Sequence, residues 1–250
     1  MSFGGSLIRP EATGYGLVYF VDEMLKDKSD TLKGKKVAVS GAGNVSIYAV
    51  EKCLELGATV LTMSDSKGYI YEPEGFTKEM LDHVNDVKVA KRGSLSDCKT
   101  SSKGKYVDGK RPWGVDVKYD IALPCATQNE IEIDDAKALV KAGCKLVAEG
   151  ANMPSTSEAI DCYHENKVEF GPAKAANAGG VAVSGLEMSQ NSMRLNWTSE
   201  EVDQKLKDIM KAIFKSCKDA SVEYNTTIQG GANIAGCLKV AEAMMAQGLY

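Results

Sequence analysis

The chain has 250 residues, of which 44% are hydrophobic and 26% charged, and its formal net charge is −4 at pH 7. This length allows one large domain or two small ones, and the composition is that of an ordinary globular chain. The negative charge argues against nucleic acid or an anionic membrane surface as the main partner, and no apolar stretch approaches the roughly 18 residues of a membrane span. Seven scattered cysteines with only two histidines predict reduced thiols, a cytoplasmic location and no metal site.

Along most of the chain, short apolar runs alternate with amphipathic stretches of helical period. Pro10 suits the first position of a helix that we predict to run to about Lys26. The polar segment 92–118 fits neither pattern, and residues 99–105 within it are interpreted as a surface loop. This alternation predicts a parallel sheet with helices on both faces. Strands are predicted at Val37–Ser40, Thr59–Met63, Tyr119–Leu123, Lys145–Ala148 and Val168–Phe170, and helices at Asn44–Leu56, Thr77–Lys91, Asp134–Ala142 and after a capping box at Ser155–Glu158.

The C-terminal part of the chain is predicted to be helical only. Thr198 and Glu201 form a capping box that opens a long amphipathic helix. A turn is predicted around Gly230–Gly231, and a last helix follows at Ile234–Ala246. The apolar stripe of this last helix is wider than packing on one sheet requires, so we expect it to face something outside the sheet domain.

The most informative stretch is KVAVSGAGNVS at residues 36–46. An apolar run ends in Gly41-x-Gly43-x-x-Ser46, a helical pattern follows at once, and a second apolar run ends in Ser64-Asp65-Ser66. In this strand–turn–helix–strand context the glycines allow a tight turn and a close approach to a pyrophosphate, while the helix N-terminus offers free N–H groups. The third position departs from the usual Gly or Ala, because Ser46 brings a hydroxyl that needs a partner. The stretch therefore predicts a dinucleotide site, the alternative being a strand–helix turn that merely needs glycine.

Small and amide-bearing residues follow the other predicted strands as well. Such groups hydrogen-bond ribose, pyrophosphate and carboxamide, but none is a strong acid or base. Cys125 is the single nucleophile candidate, and we interpret it as a small buried residue at a strand end. The sequence thus predicts a cofactor cradle without a proton shuttle, which fits either half of an enzyme or a binding module. The segments concerned are Gly41–Asn44, Ser64–Ser66, Pro124–Asn129, Glu149–Asn152 and Lys174–Gly180.

Four motifs of this sequence resemble those of the hexameric glutamate dehydrogenase family, which includes the leucine, phenylalanine and valine dehydrogenases. They are GGSLIRPEATGYG at 4–16, PCATQN at 124–129, EGANMP at 149–154 and AANAGGVAVSGLEMSQN at 175–191. The resemblance covers the family's C-terminal half. It implies that residues 1–250 form the coenzyme-binding domain, with a Rossmann-like, doubly wound, mostly parallel α/β sheet. It also implies that residues 198–250 are extra C-terminal helices that return to an absent N-terminal substrate domain, where the catalytic lysine and the aspartate proton shuttle lie.

The resemblance also assigns roles to individual residues. Val181 and Ser184 resemble residues that reach the glutamate side chain, with Ser184 binding its γ-carboxylate, and Arg9 resembles a residue at the interdomain hinge. No catalytic residue and no metal ligand is expected in this chain. The expected coenzyme contacts are Thr13, Gly41, Gly43, Asn44, Val45, Ser64, Asp65, Ser66, Lys67, Ala126, Thr127 and Asn152.

Charge and resemblance disagree on the coenzyme. An acid after the second strand normally binds the ribose 2′-hydroxyl and repels a 2′-phosphate, so Asp65 by itself favours NAD. The segment Ser64–Lys67, however, resembles the NADP-dependent branch of the family, where the two hydroxyls and the charge of Lys67 could offset Asp65. The resemblance favours NADP, and NAD is the alternative.

The resemblance thus implies half of an NADP-dependent glutamate dehydrogenase that converts L-glutamate to 2-oxoglutarate and ammonia and is inactive alone. The alternatives are an NAD-dependent glutamate dehydrogenase, another amino-acid dehydrogenase or a non-catalytic dinucleotide-binding module. A dehydrogenase for branched-chain or aromatic amino acids would be expected to carry an apolar residue at Ser184. A homohexamer is expected for the parent enzyme, and a monomer or weak dimer for this chain.

Overall fold

A computed structural model of the chain describes residues 3–248, so the outermost residues of the predicted domain, 1–2 and 249–250, lie outside it. Within that range the strands form one seven-stranded sheet in the order β4-β3-β2-β1-β5-β6-β7. The strands are β1 Lys36–Val39, β2 Thr59–Ser64, β3 Gly68–Tyr71, β4 Lys105–Asp108, β5 Ile121–Leu123, β6 Leu146–Ala148 and β7 Glu169–Gly171. The α-helices are α1 Ala12–Asp27, α2 Asn44–Glu55, α3 Lys78–Asn85, α4 Ile133–Lys141, α5 Ser157–Glu165, α6 Ala173–Ala176, α7 Gly179–Met193, α8 Ser199–Glu223 and α9 Ile228–Gln247.

Strands β1, β2, β5, β6 and β7 run parallel, which confirms the predicted doubly wound, mostly parallel α/β fold. The strand order reverses beside β1, which has β2 on one side and β5 on the other. At such a switch point the loops after neighbouring strands diverge to opposite faces and leave a crevice at the carboxyl edge of the sheet. The glycine turn after β1 lies at this crevice.

Two strands were not predicted. β3 pairs antiparallel with β2, and β4 pairs antiparallel with β3, so they extend one edge of the sheet. Both are four residues long, and β4 lies inside the polar segment that we interpreted as irregular. β3 is mostly buried between β2 and β4, whereas β4 is the partly exposed edge strand. Both strands are short and take their hydrogen bonds from partners that the local pattern does not show, so the sequence carries little signal for them.

Helices cover both faces of the sheet and enclose a separate apolar layer on each. One layer packs α1, α2 and α8 on the sheet through residues such as Phe20, Val50 and Leu206. The other packs α4 and α5 on the opposite face, around the fully buried rings of Trp113 and Tyr163. Burial on both faces explains the continuous apolar runs of the central strands.

Several helices differ from their predicted extents. α1 begins at Ala12 rather than Pro10, and α5 is capped by Thr156 rather than Ser155. α3 ends at Asn85, and a π-helical turn at Asp86–Ala90 replaces the rest of the predicted helix. This turn carries Lys88, whose ammonium binds the carbonyl of Gly93 and a carboxylate described below.

The C-terminal helices confirm one prediction and correct another. The Thr198–Glu201 capping box opens α8 as expected. The turn predicted at Gly230–Gly231 is wrong, because α9 already begins at Ile228 and runs through both glycines. A Cβ on Gly231 would lie 2.1 Å from the carbonyl oxygen of Cys217, so this glycine allows α9 to approach α8 closely. Close packing overrides the low helix propensity of glycine here.

α9 leaves much of its apolar surface exposed. Gly231 is its one buried residue within the described part of the chain, whereas Val240 and Met245 are 60% and 87% exposed. This agrees with the expectation that the last helix presents an apolar face away from the sheet.

Candidate functional site

The turn after β1 is built as the glycine pattern predicts. Gly41 has φ +86°, and a Cβ there would lie 2.9 Å from the Cys125 carbonyl oxygen, so only glycine fits. Gly43 precedes α2 with φ −97°, and a Cβ there would meet nothing within 4 Å. Gly41 is therefore required by the fold, whereas the space above Gly43 is open to a ligand.

The N-terminus of α2 faces this space. No side chain caps it, so its first N–H groups and its dipole are available to an anion. The Ser46 hydroxyl, which the sequence left in need of a partner, is fully buried and donates to the Gly43 carbonyl at 2.9 Å. The Asn44 amide donates to the Pro10 carbonyl at 2.6 Å and ties the turn to the segment before α1.

Two cavities adjoin along the carboxyl edge of the sheet. The first, about 870 Å³, extends from the turn at Gly41–Asn44, called the phosphate turn below after its proposed role, to the loop after β2. The second, about 570 Å³, lies between the start of α1 and the start of α7. They share a wall at Val45 and residues 125–128, so together they form one long cleft. Every residue proposed from the sequence to bind coenzyme or substrate lines one or both of these cavities.

The cleft brings the predicted residues together from distant parts of the chain. The first cavity is lined by Gly41, Gly43, Asn44, Val45, Ser64, Asp65, Ser66, Lys67, Ala126 and Thr127. The second is lined by Thr13, Val45, Ala126, Thr127, Asn152, Val181 and Ser184.

Asp65 is engaged by the protein itself. Its carboxylate accepts hydrogen bonds from the N–H groups of Lys67 and Leu95 and from the Lys88 ammonium, and its side chain is only 8% exposed. Burial alone raises the pKa of this carboxyl, but the Leu95 and Lys67 N–H groups and the Lys88 charge outweigh it and hold the pKa below its usual range. Asp65 therefore stabilises the turn after β2, and the simple interpretation of it as a ribose ligand does not match this geometry.

Ser64 is engaged as well. Its hydroxyl accepts the N–H of Gly41 at 2.9 Å and so joins the turn after β2 to the phosphate turn. Ser66 and Lys67, by contrast, are exposed at the mouth of the cavity.

Sequence reasoning missed three further cations on this wall: Lys88, Lys110 and Arg111. Arg111 pairs with Asp135 at 2.6 Å, and Lys88 pairs with Asp65. Lys67 and Lys110 have no carboxylate within 4.0 Å among residues 3–248. The Gly109 N–H donates to the Lys67 carbonyl at 2.7 Å, which brings these two lysine-bearing segments together. No local pattern signals this, because the cations come from the π-helical turn and from the loop after β4.

In the second cavity, Ser184 is paired with Arg9. The Arg9 Nε donates to the Ser184 hydroxyl at 2.9 Å, and that hydroxyl lies 3.2 Å from the Gly180 carbonyl, to which it donates. Arg9 has no carboxylate within 4.0 Å among the described residues, so its guanidinium is a free positive charge beside the hydroxyl. Val181 lies beside it, 73% exposed. On the opposite wall the Asn177 amide donates to the Asn152 side-chain oxygen at 2.8 Å.

Cys125 lies in the shared part of the cleft, and Glu130 lines the first cavity only. Burial raises the pKa of the Cys125 thiol well above its ordinary value, so the thiol is not a nucleophile at neutral pH, as the sequence interpretation held. Glu130 is 7% exposed and binds Ser40 and the Ala126 N–H.

Across residues 3–248, no group of three His, Cys, Asp or Glu side chains is placed to hold a metal ion. In the same range no helix has the length and apolar character needed to cross a bilayer.

The strand order and the position of the cleft define a doubly wound α/β domain of the Rossmann type. The sequence model of the Glutamate/Leucine/Phenylalanine/Valine dehydrogenase family matches residues 4–248, and the chain therefore belongs to that family.

Comparisons with individual proteins give the same family. The chain is 58% identical to the NADP-specific glutamate dehydrogenase of Haemophilus influenzae, an alignment that covers 100% of this chain and 56% of that protein. It is 57% identical to the NADP-specific glutamate dehydrogenase of Chlorella sorokiniana over 98% of this chain and 47% of that one. The crystal structure of Plasmodium falciparum glutamate dehydrogenase superposes with a TM-score of 0.95 at 51% identity, over 100% of this chain and 54% of that one. The chain thus spans about half the length of the curated relatives it matches.

Proposed function

We propose that this chain is the coenzyme-binding half of an NADP-dependent glutamate dehydrogenase, which converts L-glutamate, NADP and water to 2-oxoglutarate, ammonia and NADPH. The observation that carries the proposal is the single long cleft, in which the phosphate turn and the Ser184 pocket meet at a shared wall. Relatives named NADP-specific glutamate dehydrogenase support it.

The residues of the first cavity fit a dinucleotide phosphate. The open space above Gly43 and the uncapped N-terminus of α2 would receive the pyrophosphate. The Ser66 hydroxyl and the ammonium groups of Lys67 and Lys110 would receive a 2′-phosphate, because no carboxylate of the described residues neutralises these two lysines. Since Asp65 is paired with Lys88, its charge does not oppose that phosphate as strongly as the sequence alone suggests.

The second cavity fits a substrate with a side-chain carboxylate. When bound, the nicotinamide exchanges a hydride with the substrate. Ala126 and Thr127 line the wall that the cavities share, Thr13 and Asn152 line the second cavity, and these four residues would orient the two molecules. The Arg9 guanidinium beside the Ser184 hydroxyl would attract a carboxylate, and such charge-assisted hydrogen bonds are the stronger kind. A substrate with an apolar side chain would offer no hydrogen-bond acceptor to Arg9 and Ser184. The pair therefore favours glutamate over branched-chain or aromatic amino acids.

The two carboxylates and the thiol described in the cleft are not placed to act as general acid or base for a substrate. Asp65 and Glu130 are tied to backbone N–H groups, and the Cys125 thiol is held in its neutral form by burial. We expect the residues that transfer protons in the reaction to lie in the part of the relatives that this chain does not cover. The chain alone should therefore show no steady NADPH oxidation with 2-oxoglutarate and ammonia, and any such turnover would contradict this division of labour.

The deciding experiment is calorimetric titration of the chain with NADPH and NADH at matched ionic strength. We expect NADPH to bind at least tenfold tighter, about 1.4 kcal/mol. Tighter binding of NADH would instead support the NAD-dependent alternative. Binding of neither dinucleotide would overturn the proposed coenzyme role itself.

For the whole enzyme we propose a cytoplasmic homohexamer. This chain alone is expected to be a monomer or weak dimer, since the hexamer contacts implied by the family resemblance lie mostly in the other domain. Mass measurement of the full-length protein in solution tests the assembly.

A further inference from the structure

Glu130 is a buried carboxylate in the wall of the proposed dinucleotide cavity. It is 7% exposed and lies in the loop between β5 and α4. One of its oxygens, Oε1, accepts the Ser40 hydroxyl at 2.8 Å and the Ala126 N–H at 3.0 Å. The Ser40 hydroxyl in turn accepts the Cys125 N–H at 3.0 Å.

Through these bonds a single oxygen atom joins the two loops that border the cleft. Ser40 opens the phosphate turn, whereas Cys125 and Ala126 form the wall shared by the two cavities. The loops already touch, since Gly41 abuts the Cys125 carbonyl with no room for a Cβ. The hydrogen bonds from Ser40 and Ala126 to Glu130 therefore help to set the spacing of these loops. That spacing would in turn set the distance between the proposed positions of the pyrophosphate and the nicotinamide.

The charge of Glu130 is poorly compensated. Among residues 3–248 no cation lies within 4.0 Å of it. Burial raises its pKa, against the opposing effects of hydrogen bonds from Ser40, Ala126 and Thr127 and of the more distant Arg111 charge. The titratable and charged groups that surround it on the same cavity are Asp65, Lys67, Lys88, Lys110, Arg111 and Cys125.

An arriving pyrophosphate would place further negative charge in this cavity. Two like charges at one site favour protonation of the group that titrates more easily. The phosphodiester groups of the pyrophosphate stay ionised, so Glu130 is the group that can respond. A proton on Oε2 removes its charge and leaves Oε1 free to accept from Ser40 and Ala126, so the loop geometry survives.

We propose that Glu130 is a positioning residue that joins the two cofactor-binding loops and takes up one proton from solvent when the dinucleotide binds. This inference rests on the proposed coenzyme role of the cleft. The bound state then holds a neutral carboxyl group beside the phosphates, and affinity falls as the pH rises through the range in which free Glu130 ionises, by at most about tenfold per pH unit.

The test is calorimetric titration of the chain with NADPH at one pH in two buffers of different ionisation enthalpy, which gives the number of protons exchanged. Glu130→Gln keeps an acceptor oxygen and removes the titration, so it mimics the protonated form. We expect proton uptake in the wild type to exceed that of E130Q, and the affinity of E130Q to depend less on pH. Because the 2′-phosphate of NADPH also titrates near neutral pH, the difference between the two proteins is the quantity that counts.

Ser40→Ala is the matched control, because it removes one tie to Oε1 and leaves the carboxyl group. It should weaken NADPH binding, because it also removes the acceptor of the Cys125 N–H, while proton uptake persists with its midpoint moved to higher pH, because the Ser40 hydroxyl no longer holds the pKa of Glu130 down. A purely structural role for Glu130 would give no such shift in the midpoint of proton uptake. Equal proton numbers in the wild type and E130Q would overturn the inference.

A second measurement needs no variant. Infrared difference spectra of the wild type with and without NADPH should show the carbonyl stretch of a newly protonated carboxyl group, and its absence would overturn the inference even if E130Q fails to fold. A complete lack of NADPH and NADH binding would be a different result, since it would contradict the proposed coenzyme role.

Discussion

The Asp65 carboxylate and the Lys88 ammonium lie 3.0 Å apart and join the turn after β2 to the π-helical turn after α3. This ion pair gives Asp65, the acid at the end of β2, a structural role. In a simple dinucleotide fold that acid faces the ribose, but here it also accepts the N–H groups of Lys67 and Leu95. Its negative charge is paired within the protein, and among residues 3–248 no carboxylate lies within 4.0 Å of Lys67 or Lys110 on the wall beside it.

Asp65→Asn should therefore act on stability. We expect the free energy of unfolding to fall by about 2–3 kcal/mol, because charge-assisted bonds from Lys88 and Leu95 are weakened in a mostly buried place. Urea unfolding measures this, with Asp108→Asn on the exposed end of β4 as the control. Equal losses in the two variants would contradict the structural role.

The same site predicts a pH dependence. The pKa of Asp65 is lower in the folded chain than in the unfolded chain, where it is about 3.9. Its stabilising contribution is thus complete above the unfolded value and is lost as the pH falls through the folded value. The difference in unfolding free energy between wild type and D65N should shrink on acidification below about pH 4. A difference that stays constant down to acid pH would argue against the ion pair.

Gly43→Ala separates folding from binding. The added Cβ meets no protein atom within 4 Å, and the φ of −97° suits alanine, so stability should change by less than about 0.5 kcal/mol. The methyl group would occupy the space proposed for the pyrophosphate, and dinucleotide affinity should fall by at least about tenfold. Thermal unfolding and NADPH titration measure the two effects.

Two other glycines serve as controls for that variant. Gly114→Ala also meets open space but lies outside the cleft, so it should change neither quantity. Gly41→Ala should destabilise the fold, because its φ is +86° and its Cβ would press on Cys125. Unchanged NADPH affinity in G43A would contradict the proposal that the pyrophosphate binds at this turn.

Lys67→Ala and Lys110→Ala should weaken NADPH binding by about tenfold each and leave NADH binding nearly unchanged, because only NADPH has a phosphate for these ammonium groups. Titration of both dinucleotides at several salt concentrations measures the difference. Lys137→Ala on α4 changes the net charge equally but lies outside the cleft, so it controls for long-range electrostatics. A matching loss for NADPH and NADH would place these lysines away from the 2′-phosphate.

The sequence predicted the alternation of strands and helices and the phosphate turn because both have local causes: apolar periodicity, and the steric need for glycine at Gly41. It did not predict β3 and β4, whose hydrogen bonds depend on β2, or the helix through Gly231, which depends on close packing against α8. At the site, the motif residues all line the cleft, and their roles in binding stay predictions. The partners Lys88 and Glu130 were not predicted, because a buried ion pair or carboxylate network is set by tertiary proximity, which one sequence does not encode locally.

The exposed face of α9 leads to a prediction about self-association. Val240 and Met244 are 60% and 44% exposed and lie four residues apart on one side of the helix, and apolar residues grouped in this way favour contact between molecules. The double variant Val240→Lys, Met244→Lys should shift the chain toward monomer at high concentration, as measured by sedimentation velocity. Its unfolding free energy should stay within about 0.5 kcal/mol of the wild type, because neither side chain is buried.

Met188→Lys on α7, also highly exposed, distinguishes this face from a general effect of added charge. If M188K dissociates the chain equally well, the α9 face is not the contact. If α9 is the contact, we propose the same face as the docking surface of the substrate domain that the family resemblance implies, since both associations would be driven by burial of the same apolar side chains.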